Sequence, residues 1–315
     1  MTVNGCLVAM YHYVRDPVAS GARLNALATA DFEAQLSWLE PRRQLVDFPH
    51  FAAALQARQP LHATALLTFD DGLADHYEYV FPRLRQRRAS GVFFLAGAAH
   101  DRTPRLLNVH KTHLLIAQLG ADPFAAAVRE AIARDLVAVA NGPTRSPDVY
   151  RYDDGASQAE IKHLLNYQLP PATADRVLAD LYAAHVGDEV DDARRFYLSS
   201  AAICEMSAAG MTFGFHTEQH RVLARLTESQ QGDELGRGVA RITELTGQKL
   251  VPFCYPYGHA HTYNATTIEV LRRAGYCAAF TTTRRVADPA CDPPFEIPRL
   301  DTRDLPPFHA TPADA

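Results

Sequence analysis

The sequence predicts an α/β fold, a mainly parallel sheet with helical crossovers that carries a long helical insertion, and three observations predict it. Short apolar and β-branched runs at 64–69, 92–95, 211–215, 250–254 and 276–281 alternate with segments of helical period. Three of those runs end in clusters of polar or turn-forming residues, the arrangement expected at the carboxyl edge of a parallel sheet. Between them, residues 100–199 are Ala- and Leu-rich and show no convincing strand, over a length that no structureless loop reaches.

The elements follow in order. The 64–69 run closes in Asp70-Asp71-Gly72 and reads as a buried strand entering a polar turn. Asp75 is a candidate N-cap for a helix on which Tyr77, Val80, Phe81 and Leu84 share a face, until Ser90-Gly91 stops it before the strand at 92–95. Helical patterns occupy 106–119, 123–140, 159–165 and 172–185. In the second half, helices at 228–246 and 265–274 separate the remaining strands. Residues 1–99 and 200–305 therefore form one discontinuous unit, 100–199 is an insertion serving as a lid or as a dimerisation surface, and 306–315 is a loosely ordered tail.

Composition narrows the function. In 315 residues, 47% are hydrophobic and 21% charged, which fits a globular chain and excludes coiled coil, collagen and disorder. Lys plus Arg number 31 against 36 Asp plus Glu, a net charge of −5. That balance argues against a nucleic-acid or anionic-membrane partner and favours a small or carbohydrate substrate. No stretch approaches the roughly 20 apolar residues of a membrane span. The first dozen residues lack a basic leader followed by a sustained apolar run, so the expected compartment is the cytoplasm. Cys6, Cys204, Cys254, Cys277 and Cys291 are scattered without a Cys-x-x-Cys pair, which suits a reducing compartment and no thiolate framework.

Three clusters carry candidate chemistry. In Thr68-Phe69-Asp70-Asp71-Gly72, two adjacent carboxylates at the end of a buried strand repel and are costly to desolvate. A cation resolves the conflict, one carboxylate binding it while the other takes a proton, and Gly72 permits the sharp turn. The plainer alternative is a capping turn, since Asp-Asp recurs at Asp153-Asp154 and Asp191-Asp192. In His216-Thr217-Glu218-Gln219-His220, two imidazoles four residues apart can face one ion; among 14 His, such a pair also arises as solvent-facing or capping residues. In Tyr255-Pro256-Tyr257-Gly258, Pro and Gly can hold the Tyr257 amide toward an oxyanion, or simply make a rigid aromatic turn.

Taken together and in this order, the clusters resemble the first three motifs of the polysaccharide deacetylases, carbohydrate esterase family 4, over residues 5–97 and 200–305. The resemblance implies a distorted (β/α)7 barrel. It implies that Asp71, His216 and His220 hold one divalent metal, usually zinc with cobalt or nickel able to serve, that Asp70 is the catalytic base, and that the Tyr257 amide completes an oxyanion hole. Tyr11-His12-Tyr13-Val14 resembles the first barrel strand of the bacterial subgroup, placing His12 at the mouth or in the core, and Ile297-Pro298-Arg299-Leu300-Asp301 resembles its closing strand. His12 and Tyr255 are taken as substrate-binding residues. Two departures stand out. The Arg that usually opens the third motif and pairs with the base is Cys254 here, and Arg299 is the candidate replacement. The late Leu-x-His that protonates the leaving amine has no clear copy, with His259, His261 and His309 lacking the context.

The implied activity is metal-dependent removal of an acetyl or formyl group from an aminosugar in glycan or natural-product assembly. Its substrates would be nucleotide-linked or lipid-linked sugars or oligosaccharides. The alternatives are the same hydrolysis of a non-sugar amide or ester, and a catalytically silent carbohydrate binder.

Overall fold

The computed structural model describes residues 5–16, 24–134 and 155–308. Eight strands, β1 (Cys6–Tyr11), β2 (Gln44–Leu45), β3 (Thr64–Phe69), β4 (Val92–Leu95), β5 (Thr212–Phe215), β6 (Pro252–Cys254), β7 (Ala278–Phe280) and β8 (Leu300–Asp301), form one sheet. Its order is β7-β6-β5-β4-β3-β1-β8, with β2 flanking β3, and every pairing is parallel. The sheet curls on itself: Ile297, just before β8, bridges Phe280 of β7 while Leu300 and Asp301 pair with Ala9 and Met10 of β1. Closure of that ring gives the (β/α)7-type barrel that the resemblance to the deacetylases implied.

The strands read as continuous apolar runs because both of their faces are covered. In β1 and β3, Leu7, Ala9, Tyr11, Leu67 and Phe69 join the layer between sheet and helices, whereas Cys6, Val8 and Leu66 join the barrel interior with Phe94, Cys254, Phe280 and Ile297. The helix Phe48–Ala57 places Phe48 and Phe51 against Phe280 and fills that interior. The period of two along β3 then aims Thr68 and Asp70 to the inward side that Leu66 occupies. The outer layer is aromatic, with Phe69 stacked on Phe93 at 4.7 Å and on Tyr11 at 5.1 Å.

Among the described residues between β4 and β5 there are helices and no named strand. Their apolar faces, through Leu115, Phe124, Val128, Val177 and Tyr182, build a second cluster that also takes in Tyr13, Leu73 and Ala96 from the carboxyl-end loops of the barrel. The inserted helices are thus seated on the loops that follow β1, β3 and β4. No helix of the described residues is long and apolar enough to cross a membrane.

Several local readings change. The helix expected at 228–246 is two, Glu228–Leu235 and Gly238–Thr246, separated at Gly236 and Arg237. Asp75 caps nothing; it accepts two hydrogen bonds from Arg15, at 2.8 and 2.5 Å, and a π-helical turn at His76–Val80 precedes the helix Phe81–Gln86. Asp191 and Asp192 lie in the first turn of Glu189–Phe196, where acidic residues suit the helix dipole. Asp153-Asp154, His309 and the end of the 123–140 pattern lie outside the described residues.

Burial of His76 is expected to make the fold acid-sensitive. Its Nε2–H donates to the His12 carbonyl at 3.0 Å, and burial pushes the imidazole from 6.5 down to about 4. Between those values the unfolded chain binds a proton that the folded chain does not, so stability falls as pH falls. The contribution is complete above pH 6.5; on the order of 3 kcal/mol is lost by pH 4, about 2 of it by pH 5. Urea unfolding at pH 7.5 and 5 should show a drop smaller by that amount in His76→Gln than in the parent. Equal drops would remove His76 from the account.

Candidate active site

The site is assembled at the carboxyl edge, where β3, β5 and β6 end. Asp71 and Gly72 take φ of 75° and 64°, a left-handed pair that turns the chain sharply beyond β3. After β5, Thr217 and His220 take φ of 65° and 57°; after β6, Tyr257 and Gly258 take 62° and 64°. Non-glycine residues in this region are strained, and the fold places one or two in each of the three loops. Hydrogen bonds hold the middle loop there: His220 N–H donates to Thr217 Oγ1 at 2.8 Å, Gly97 N–H to the Thr217 carbonyl at 2.9 Å, and Glu218 N–H to the Glu234 carbonyl at 3.0 Å.

These turns bring Asp71, His216 and His220 together. Asp71 Oδ1 lies 3.6 Å from Nε2 of each histidine, too far for a hydrogen bond, and it is buried with no hydrogen-bond partner. One donor atom from each of the three falls within 4.8 Å of the others. His216 Nδ1–H donates to the Cys254 carbonyl at 2.7 Å, which turns the Nε2 lone pair toward Asp71. Burial lowers the pKa of His216 and takes His220 down to about 3, so both are neutral donors at neutral pH. An orphaned carboxylate oxygen facing two neutral imidazoles fits a divalent cation such as zinc.

Asp70 points beside this cluster into the barrel mouth and is held differently. Arg299 Nη1 and Nη2 donate to its two carboxylate oxygens, both at 2.8 Å, while Arg299 Nε donates to the Thr281 carbonyl at 3.0 Å and Nη1 also to Thr68 Oγ1 at 3.2 Å. Burial opposes ionisation of Asp70, but the charge and hydrogen bonds of Arg299 outweigh it and bring the carboxyl down to about 2. The closing strand therefore supplies the cation that β6 lacks. Cys254 Sγ lies 3.5 Å from Asp70 Oδ2 and 3.0 Å from Arg299 Nη2, and burial pushes its thiol well above the ordinary range, so it is no nucleophile at neutral pH.

His12 follows β1, with its side chain 41% exposed and Nε2 3.7 Å from Asp70 Oδ2, at the mouth. The Tyr257 ring meets His220 at 4.9 Å, and its hydroxyl donates to Asn166 Oδ1 of the inserted segment at 3.1 Å. Tyr255 is corrected. It is 1% exposed, stacks on Tyr263 at 4.1 Å and donates its hydroxyl to the Phe295 carbonyl, so it packs the barrel wall and offers no face to a substrate. Sequence reasoning missed His110 and Tyr197: His110 Nε2 lies 3.1 Å from Asp71 Oδ2, and its Nδ1 lies 2.6 Å from the Tyr197 hydroxyl. No motif marks either one.

A closed parallel barrel with a carboxylate–imidazole cluster at its carboxyl edge defines the class, a (β/α)7-barrel protein of deacetylase fold. The polysaccharide deacetylase family matches residues 182–279, the stretch that holds the His216 and Tyr257 clusters. Fold and sequence thus bear out the resemblance to the polysaccharide deacetylases. A curated Bacillus subtilis (strain 168) protein, "Putative polysaccharide deacetylase YxkH", is 28% identical over 114 residues, 36% of this chain and 36% of that protein. The aligned stretch spans little more than a third of that relative. Among solved structures, the Streptococcus pyogenes deacetylase PplD in complex with acetate superposes with a TM-score of 0.57 at 17% identity, covering 96% of this chain and 93% of that one. IcaB from Ammonifex degensii gives 0.58 at 20% identity, covering 94% and 91%. At these identities the likeness is one of fold.

Proposed function

We propose that the protein is a metal-dependent N-deacylase that removes an acetyl or formyl group from an aminosugar. The observation that carries this reading is the buried Asp71, with its unpartnered Oδ1 facing His216 and His220, next to an Asp70 kept ionised by Arg299. The family match over the second and third clusters supports it. In this reading Asp71, His216 and His220 hold the ion, zinc by the chemistry of two imidazoles and a carboxylate, with cobalt or nickel able to replace it. The bound ion supplies Lewis acidity to water and to the scissile carbonyl.

The protein's own residues do the rest. Asp70 accepts the proton of the attacking water from a position fixed by two hydrogen bonds to Arg299. The Tyr257 amide, set by its left-handed backbone, donates to the oxyanion that develops on the acyl oxygen. The C–N bond breaks as the nitrogen takes up a proton, leaving acetate or formate and a cationic sugar amine. The acylated sugar lies between His12 and the Tyr257 turn, beneath the inserted helices, as a nucleotide-linked or lipid-linked sugar or a short oligosaccharide.

The test is acid release from N-acetyl and N-formyl sugars, nucleotide sugars and chito-oligomers by Zn2+- or Co2+-loaded protein. Release from at least one should vanish on exhaustive chelation and return when the metal is restored. Release that persists after chelation, or none from any N-acyl sugar by loaded protein, overturns the reading.

A further inference from the structure

We propose that His110 is a positioning residue for Asp71, and that the inserted helices are therefore part of the cation site as well as a cover over it. This rests on the reading of Asp71, His216 and His220 as cation ligands. His110 is fully buried in the first turn of the helix Asn108–Leu119, and Tyr197 is nearly so. Asp71 Oδ2 is an acceptor only, so His110 Nε2 carries the hydrogen of that 3.1 Å contact. The Tyr197 hydroxyl, which accepts from Leu107 N–H at 3.0 Å, is hydrogen-bonded to Nδ1 at 2.6 Å and holds the ring from its other side. Both ring nitrogens of His110 are thus tied down, one by Asp71 and the other by Tyr197.

The consequence falls on the two oxygens of Asp71. Oδ2 is occupied by His110, and Oδ1 alone is left facing His216 and His220. A carboxylate pinned through one oxygen presents the other in a set direction, the role that outer hydrogen bonds play for metal-binding side chains. The anchoring is itself tied to the barrel. Tyr197 bridges Leu73, Leu198 N–H donates to the Gly72 carbonyl at 2.9 Å, and Asp175 accepts from both Asn108 and Arg221, the residue after His220. The insertion therefore grips the loop of Asp71 and the loop of His220 together.

The experiment uses the metal-free 315-residue chain with Co2+ as probe, reading the dissociation constant against a competing chelator and the visible Co2+ spectrum. His110→Asn keeps an amide that can meet Tyr197 but is too short to reach Asp71; His110→Gln can place its amide N–H where Nε2–H stands. We expect the Asn variant to bind Co2+ about 10- to 100-fold more weakly with an altered spectrum, and the Gln variant to stay within about threefold of the parent. Equal affinities in both variants, whether both normal or both reduced, overturn the inference, because a packing role would not tell the two amides apart. If neither variant folds, Tyr197→Phe decides: several-fold weaker binding supports the inference and unchanged binding overturns it. A parent chain that binds no Co2+ is a different outcome, and it overturns the proposed function along with this inference.

Discussion

Asp70→Asn is expected to reduce acid release by about 10²- to 10⁴-fold while leaving Co2+ or Zn2+ affinity within about threefold of the parent. The separation follows from geometry. Asp70 and Asp71 are adjacent in the chain, yet the left-handed turn at Asp71 sends their carboxyls to different partners, Asp70 to Arg299 and Asp71 toward His216 and His220. Asn has nearly the shape of Asp and keeps one oxygen for the guanidinium, so the fold should survive with some loss of stability. What it cannot do is accept a proton at neutral pH. Since base and ion would serve one step, their losses should not add: chelated parent, Asp70→Asn, and chelated Asp70→Asn should share one background rate. Asp71→Asn is the control, expected to lose the metal itself. If Asp70→Asn keeps a tenth or more of the parent activity, the base is another residue.

The resemblance and the strand-end motifs were legible because their signals are local. A parallel strand covered on both faces is a continuous apolar run, so β3 (Thr64–Phe69) and β4 (Val92–Leu95) lie where the sequence puts them, as does the Asn264-capped helix Ala265–Ala274. The break at Gly236 was hidden by apolar periodicity continuing on both sides of it. Asp75 was misread because a carboxylate before a helix looks the same whether it caps the first turn or reaches Arg15 on another loop. Tyr255 shows a limit of motif reasoning: membership in a motif says nothing about which face a side chain takes, and one step along β6 separates the barrel interior at Cys254 from the outer layer at Tyr255. His110 was illegible for a related reason. It comes from a helix 39 residues beyond Asp71, and Tyr197 is 87 residues further on, so nothing in either neighbourhood records the contact.

Arg299→Ala should be the most damaging single change to the mouth, lowering stability by about 3–5 kcal/mol and activity by at least as much as the loss of Asp70, because it leaves a buried carboxylate without its counter-charge. Arg299 is itself 1% exposed, and each of its three guanidinium nitrogens has a protein partner, so no surface cation can take its place. Its Nη2 lies 3.0 Å from Sγ of Cys254, the residue at which the resemblance leads one to expect an Arg paired with the base. The two strands thus offer alternative routes for one charge to the same carboxylate. Cys254→Arg alone should destabilise, since it puts a second guanidinium into a filled, fully buried space. Combined with Arg299→Ala it should recover about 2 kcal/mol or more of the loss and part of the activity, a coupling that a double-mutant cycle reads directly. Additive losses in the double variant would mean that Arg299 supports the barrel by packing between β7 and β1, and that its pairing with Asp70 is incidental to the chemistry.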